Sequence, residues 1–249
     1  MSKSVLITGA GSGFGKLSAL ALLERGHHVI ATTENEEQAA ALHREAPGLV
    51  VEKLDITTSD IEQVSQWTID VLINNAGAGE TGPLADVALD RVRRLFEVNV
   101  FGTLRITQEV LKSMVQQRSG RIIIMSSIAG VVAAPSFGPY SMTKFSLEAM
   151  GKAMRSELAP LGVDVTLINP GPYLTGFNDR MADSMWEWFS DASLNAPQAE
   201  LFHVVGDFVT TAQRDPQEVV ERLVQLVEAE STEENNFVPP DIKAQLGLA

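Results

Sequence analysis

The chain has 249 residues, 45% hydrophobic and 20% charged, which is enough apolar material for one α/β domain with a sizeable core. A formal net charge of −13 without a Lys/Arg cluster argues against nucleic-acid binding, and the absence of cysteine excludes disulfide and thiol chemistry. No apolar run reaches the roughly 18 residues of a membrane span.

The N-terminus leads straight into a strand, so no signal or transit peptide is expected. With the missing cysteines this fits a cytoplasmic protein. Strands are expected over 5–8, 29–32, 50–54, 71–74, 121–125, 163–169 and 236–238, with helical stretches between them. That alternation predicts a doubly wound, Rossmann-like parallel sheet of seven strands with helices on both faces, forming one domain over 1–249.

The first strand runs into Gly9-Ala10-Gly11-Ser12-Gly13-Phe14-Gly15 and then a helical run from Lys16 to Arg25. A strand, a glycine turn and a helix start are the context of a candidate dinucleotide site, where the backbone would let a pyrophosphate approach and the first helical N–H groups would bind the anion; a turn that merely needs glycine is the alternative. The spacing from Thr8 through Gly9, Gly13 and Gly15 differs from the common G-x-G-x-x-G. The second strand ends in Thr33-Glu34-Asn35-Glu36-Glu37. Only fifteen positions separate Asp55 from Asp70, so the helix before the fourth strand must be short.

The fourth strand ends in Asn74-Asn75-Ala76-Gly77, with Asn75 and Gly77 placed to face the crevice at the strand C-termini. Long helices are expected over 86–117 and 141–161. Between them a fifth apolar strand ends in Ser126-Ser127, two competing hydroxyls, thirteen positions before Tyr140. Tyr140 and Lys144 are spaced to share one helix face, which sets an ammonium beside a phenol of ordinary pKa about 10 and favours its ionised form. Such a tyrosine can work as an acid/base near neutral pH.

Six motifs now stand in order: Thr8 to Gly15, Asn74 to Gly77, Asn99 in Phe-Glu-Val-Asn-Val-Phe-Gly, Ser127, Tyr140-x-x-x-Lys144, and Asn169-Pro170-Gly171-Pro172-Tyr173-Leu174-Thr175. In them the chain resembles the short-chain dehydrogenase/reductase family in its common single-domain form, closely over 4–175 and loosely beyond. The resemblance implies a catalytic tetrad of Asn99, Ser127, Tyr140 and Lys144. Tyr140 would exchange a proton with the substrate oxygen and Ser127 would hydrogen-bond that oxygen. Lys144 would lower the phenol pKa and hold the nicotinamide ribose, and Asn99 would anchor a relay water. Cofactor contacts would come from Gly9, Ser12, Gly13, Phe14 and Gly15 at the turn, and from Thr33 and Glu34 after the second strand. Asp55 and Ile56 would hold the adenine, with further contacts from Asn75, Ala76, Gly77, Pro170, Gly171, Tyr173 and Thr175.

NADP-dependent members usually carry a basic residue where Ser12 or Glu34 stands, and NAD-dependent ones an aspartate where Thr33 stands. Glu34, Glu36 and Glu37 would repel a 2′-phosphate, and Glu34 can accept from ribose hydroxyls, so the expected cofactor is NAD, with NADP the alternative. Glu36 and Glu37 also suit a helix N-terminus. The segment 174–215 carries Met181, Met185, Trp186, Trp188, Phe189, Leu201 and Phe202, either as a lid over an apolar substrate or as packing on the body. His203 and Arg180 lie in it, and 131–137 supplies an opposite wall. A hydrophobic alcohol or ketone is the expected substrate. The family's helix pairing implies a homotetramer or homodimer through the two long helices. The competing function is a non-catalytic dinucleotide sensor on the same fold.

Overall fold

The structure, a computed structural model, describes residues 1–245 and 247, and of Ser59 and Asp60 the backbone only. Its strands are β1 (Ser4–Ile7), β2 (His28–Thr33), β3 (Val50–Lys53), β4 (Val71–Asn74), β5 (Gly120–Met125), β6 (Val163–Pro170) and β7 (Asn235–Val238). They form one parallel sheet in the order β3-β2-β1-β4-β5-β6-β7. Alternate residues of the central strands enter opposite cores, which is why these strands are continuously apolar. Val5, Ile7, Ile73 and Ile123 face one core with Val219 and Leu223, while Leu6, Leu72, Ile122 and Ile124 face the other with Ile106, Val110 and Leu147.

The strand order reverses direction between β1 and β4, and a doubly wound sheet opens its ligand crevice at such a point, beyond the strand C-termini. The helices α1 (Gly13–Glu24) and α2 (Glu36–Glu45) supply the crossovers on one side of that point. On the other side follow α3 (Leu89–Phe96), α4 (Thr103–Gln117) and α5 (Gly138–Leu158). Beyond β6 lie α6 (Phe177–Asp183), α7 (Ala199–Thr211) and α8 (Gln217–Glu228). No helix of the described residues is long and apolar enough to cross a membrane.

Three local expectations are corrected and one, the short helix before β4, is met. The helix expected over 86–117 begins only at Leu89 and widens to a π-helical turn over Glu97–Gly102. The cause is Asn99, whose Oδ1 accepts from the Ala78 N–H (2.7 Å) and whose Nδ2 donates to the Ala78 carbonyl (2.9 Å), drawing one turn out of the ladder. The short stretch before β4 is a 3-10 helix, Ser59–Gln66. The helix expected over 141–161 starts at Gly138, with Pro139 in its first turn where no N–H is needed, and finishes as a 3-10 turn over Ala159–Leu161. A histidine in the turn before β2 is expected at the surface, but His27 is buried (6% exposed): its Nδ1 accepts from the Lys3 N–H and its Nε2 lies 3.3 Å from Glu228.

The segment after β6 lies across the loop that follows β4. The Thr81 hydroxyl donates to the Met181 carbonyl (2.9 Å), and Trp188 Nε1 donates to Glu80 (3.3 Å). Asp86 accepts from the Leu194 N–H and from both the backbone and side-chain amides of Asn195. Trp186 stacks on His203 with centroids 3.9 Å apart, and Phe189 sets its edge against Trp186, Trp188 and Phe202. These aromatics therefore hold the segment together.

Candidate active site

The strand ends open into one cavity of about 480 Å³. At its floor the Thr8 hydroxyl accepts from the N–H groups of Asn75 and Ala76 (3.1 and 3.0 Å), and Asn75 Nδ2 donates to the carbonyls of Thr8 and Gly9 (2.9 and 3.1 Å). This clamps the glycine turn onto the end of β4. Gly9 has φ +68°, and a Cβ there would lie 2.7 Å from Ala76 Cα; a Cβ on Gly15 would lie 2.4 Å from Asn75 Nδ2. Both positions need glycine, the first also for its left-handed backbone. Gly13 faces Thr175 across the turn, a Cβ there reaching Thr175 Cβ at 3.4 Å. Helix α1 starts beyond Ser12, which makes no side-chain cap, and no acidic residue stands in the first turn. The positive end of the helix is thus left for an anion.

Toward β2 the lining is Ser12, Glu34, Gln38, Asp55, Ile56 and Thr57. Gln38 leans from α2 to accept from the Glu34 N–H (3.3 Å). The Asp55 carboxylate accepts from the N–H and the hydroxyl of Thr57 (2.8 and 2.7 Å). Thr33 is fully buried, donates to the Asn35 carbonyl, and is not among the lining residues. Phe14, Ala76, Gly77, Pro170, Gly171, Tyr173 and Thr175 do line the cavity. The Tyr173 hydroxyl points away, donating to Glu218 (2.9 Å), while its ring meets the edge of Phe14. Gly15 stands behind the lining, in contact with Gly9 and Asn75.

At the other end Tyr140 and Lys144 project from α5, 7% and 4% exposed. Lys144 Nζ donates to the Met125 carbonyl (2.8 Å) and lies 5.5 Å from the centre of the Tyr140 ring. The two competing serines separate clearly. Ser127 Oγ accepts from the Ala129 N–H (3.1 Å) and is hydrogen-bonded to the Tyr140 phenol, whereas Ser126 Oγ turns the other way and donates to Glu148 (2.5 Å). Burial pushes the Tyr140 phenol well above its usual range, and the Ser127 hydrogen bond only partly opposes this. The sequence predicted a phenol lowered by the nearby ammonium; in the structure burial dominates and the phenol is raised. Burial also lowers Lys144 to about 8, with the Glu148 carboxylate acting in the opposite direction.

Asn99 is 1% exposed and is not among the lining residues. Besides Ala78 it bonds Thr143 (3.0 Å), so it joins the loop after β4 to the turn of α5 that bears Tyr140 and Lys144. The apolar walls of this end are Val132, Ala134, Phe137, Phe177, Met181, Val205, Phe208 and Val209, of which sequence reasoning singled out only Met181 and the stretch 131–137. Trp186, Trp188, Phe189 and His203 are not among the lining residues. Phe202, Val205 and Val209 recur at helical spacing along α7, a signal in the sequence that pointed to an inward face. Arg180 and Lys144 are the cations on the described lining, and the Arg180 guanidinium lies 3.0 Å from where a Cβ on Gly176 would stand.

Comparison with known proteins agrees with this geometry. Residues 3–186 match the family model for short chain dehydrogenases. An uncharacterized oxidoreductase of Bacillus subtilis, YusZ, is 33% identical over 90% of this chain and 84% of its own length. An NADPH-dependent 3-dehydrocapnine reductase of Ornithobacterium rhinotracheale is 35% identical over 68% of this chain and 65% of its own. The crystal structure of a short-chain dehydrogenase from Streptomyces avermitilis superposes with TM-score 0.84 at 28% identity, covering 99% of this chain and 91% of that one. With a matching family model, a parallel seven-stranded sheet and a tyrosine and lysine buried at the strand ends, this chain belongs to the short-chain dehydrogenase family and is an oxidoreductase.

Proposed function

We infer that the protein is an NAD(H)-dependent oxidoreductase interconverting a hydrophobic secondary alcohol and its ketone. One observation carries this reading: Tyr140, Ser127 and Lys144 stand together at the apolar end of a cavity whose other end is the glycine turn. The turn fits a dinucleotide. A Cβ on Gly9 or Gly15 would clash where the backbone folds tightly, and the uncapped start of α1 offers N–H groups to a pyrophosphate. A nicotinamide held there would supply the hydride chemistry, as acceptor toward an alcohol and donor toward a ketone.

The protein's own groups handle the oxygen. In the reducing direction the Tyr140 phenol gives its proton to the carbonyl oxygen, and the Ser127 hydroxyl donates a hydrogen bond to that oxygen as charge develops on it. The Lys144 ammonium then stabilises the phenolate left behind, and its attraction is strong because the pair is buried. In the oxidising direction the same proton returns to Tyr140. Asn99 is a positioning residue here, holding α5 against the loop after β4. Phe137, Phe177 and Val209 exclude water and favour an apolar substrate, for which the segment 174–215 serves as lid.

The ketone direction is supported by the relative whose name makes it a reductase of 3-dehydrocapnine; that relative uses NADPH. Among the described residues no Lys or Arg lines the cavity beyond β2, where Glu34 and Gln38 stand, and this supports NAD. The experiment is Tyr140→Phe assayed with a panel of ketones and secondary alcohols. The variant is expected to bind NADH, by quenching or enhancement of cofactor fluorescence, and to lose turnover by at least about a thousandfold. Wild-type turnover in the variant overturns the role of Tyr140.

A further inference from the structure

Tyr140, Lys144, Glu148 and Lys152 follow one another at intervals of four along α5 and share one ridge of the helix. The first two belong to the proposed chemistry, and the third is left unexplained by it. Glu148 is 4% exposed, a carboxylate whose burial is costly unless its oxygens are fully paired. They are. Oε1 accepts from Ser126 Oγ (2.5 Å) and Asn169 Nδ2 (2.6 Å), and Oε2 accepts from Asn235 Nδ2 (2.7 Å) and lies 3.7 Å from Lys152 Nζ. Asn235 Nδ2 also reaches Asn169 Oδ1 (3.0 Å), which closes the network.

The donors come from three strand ends. Ser126 directly follows β5 and precedes Ser127; Asn169 lies near the end of β6 and precedes Pro170-Gly171; Asn235 opens β7. The turn after Ser127 is packed on the same network, since a Cβ on Gly130 would lie 2.7 Å from Ser126 Oγ and 3.1 Å from Glu148 Cγ. A single carboxylate thus ties α5 to the backbone that presents Ser127 and to the backbone that forms the cavity wall at Gly171.

We propose that Glu148 is a positioning residue of the active site, clamping the ends of β5 and β6 beneath Ser127 and Gly171 and setting its carboxylate one helical turn from the Lys144 ammonium. This rests on the catalytic reading of Lys144 above. Among the described residues the charged groups facing Glu148 are Lys144 and Lys152 of its own helix, while β5, β6 and β7 present the neutral Ser126, Asn169 and Asn235. The Coulombic effect of Glu148 on Lys144 opposes burial and holds the ammonium up.

The test is Glu148→Gln, which removes the charge at almost constant volume, beside Glu148→Asp, which keeps it. In protein labelled with ¹³C-lysine, the titration of Lys144 Cε should move to lower pH in the Gln variant and stay near wild type in the Asp variant. The alkaline limb of kcat/KM for ketone reduction should move the same way in the Gln variant. Ser126→Ala tests the clamp without altering charge and remains informative if the Gln variant does not fold. It should lower kcat about tenfold through misplacement of Ser127 while leaving the Lys144 titration in place. An unmoved Lys144 titration in Glu148→Gln, or an unchanged kcat in Ser126→Ala, overturns the proposal. The NMR titration needs no turnover, so a wild-type protein inactive on the whole panel would sink the catalytic reading and still leave the electrostatic role of Glu148 decided.

Discussion

Lys144 is the residue whose environment has the most direct thermodynamic consequence. Burial holds it at about 8 in the folded protein against an ordinary 10.5. Below pH 8 it is charged in both the folded and unfolded states, and the folded state bears the whole desolvation cost. Between 8 and 10.5 the unfolded chain binds more protons, so stability rises with pH. The Tyr140 phenol works the other way. Its folded pKa is raised, so its contribution is complete below 10 and declines above. The window that isolates Lys144 is therefore pH 8 to about 9.5. Urea unfolding across it should show the wild type gaining about 1–2 kcal/mol relative to Lys144→Met, whose curve lacks this rise. Parallel curves would show that the ammonium is better solvated than its 4% exposure implies. At the far end of the cavity stand Glu34 and Gln38, which on the proposed reading occupy the place where a 2′-phosphate would need a cation. NADH should bind several-fold more tightly than NADPH in a fluorescence titration, and Glu34→Arg should narrow or invert the ratio. Equal or tighter NADPH binding by the wild type would refute the acidic residue's role.

Among the elements, the π-helical turn at Glu97–Gly102 is where sequence and structure diverge most usefully. Asn99 makes three side-chain hydrogen bonds there, to both backbone groups of Ala78 and to Thr143. Truncating it leaves the half-buried Ala78 N–H and carbonyl, beside the cavity, without these partners. Asn99→Ala should therefore cost about 2–4 kcal/mol in urea unfolding, with kcat falling more than the KM of either substrate rises. A loss below half a kilocalorie would mean that the loop finds other partners. Nothing in the spacing of Phe96, Val100 and Ile106 announced this turn, because a widened turn changes the phase of a helix without changing its composition. The seven strands were far easier to read: a strand buried on both faces is an unbroken apolar run, and each expected boundary lies within one residue of the observed one. The glycine turn, Ser127, Tyr140 and Lys144 were legible for a related reason, since their chemistry depends on short local spacings. The cavity walls were not. Trp186 and Phe189 are the most conspicuous residues of their segment, yet they pair with His203 and Phe202, and the wall is made by Val205 and Val209 further along α7. Their partners are distant in sequence, and hydrophobicity alone does not say which apolar face looks into a cavity and which into a cluster.

For the whole molecule, the apolar surface that remains outside is informative. Phe101, Met142 and Phe145 are 49%, 43% and 45% exposed, the first on the π-helical turn and the others on α5, where Ala149 and Ala153 continue the stripe. Small and large apolar residues side by side on a helix pair make a surface on which another helix pair can pack. A homotetramer, or else a homodimer, is expected by light scattering at micromolar concentration. Phe145→Glu should shift it toward the monomer by placing a charge where contact would be dry. A monomeric wild type would refute the assembly and leave the chemistry at Tyr140 standing.

Helix α5 thus has two working sides. Tyr140, Lys144 and Glu148 are buried against the sheet, while Met142, Phe145 and Ala149 face outward a few ångströms of backbone away. Any neighbour seated on the outer side stiffens the rod on which the inner side is mounted. The number of enzyme molecules per unit volume then becomes an effector in its own right, obeying the same mass action as a bound ligand, and dilution alone should lower the activity of each remaining subunit.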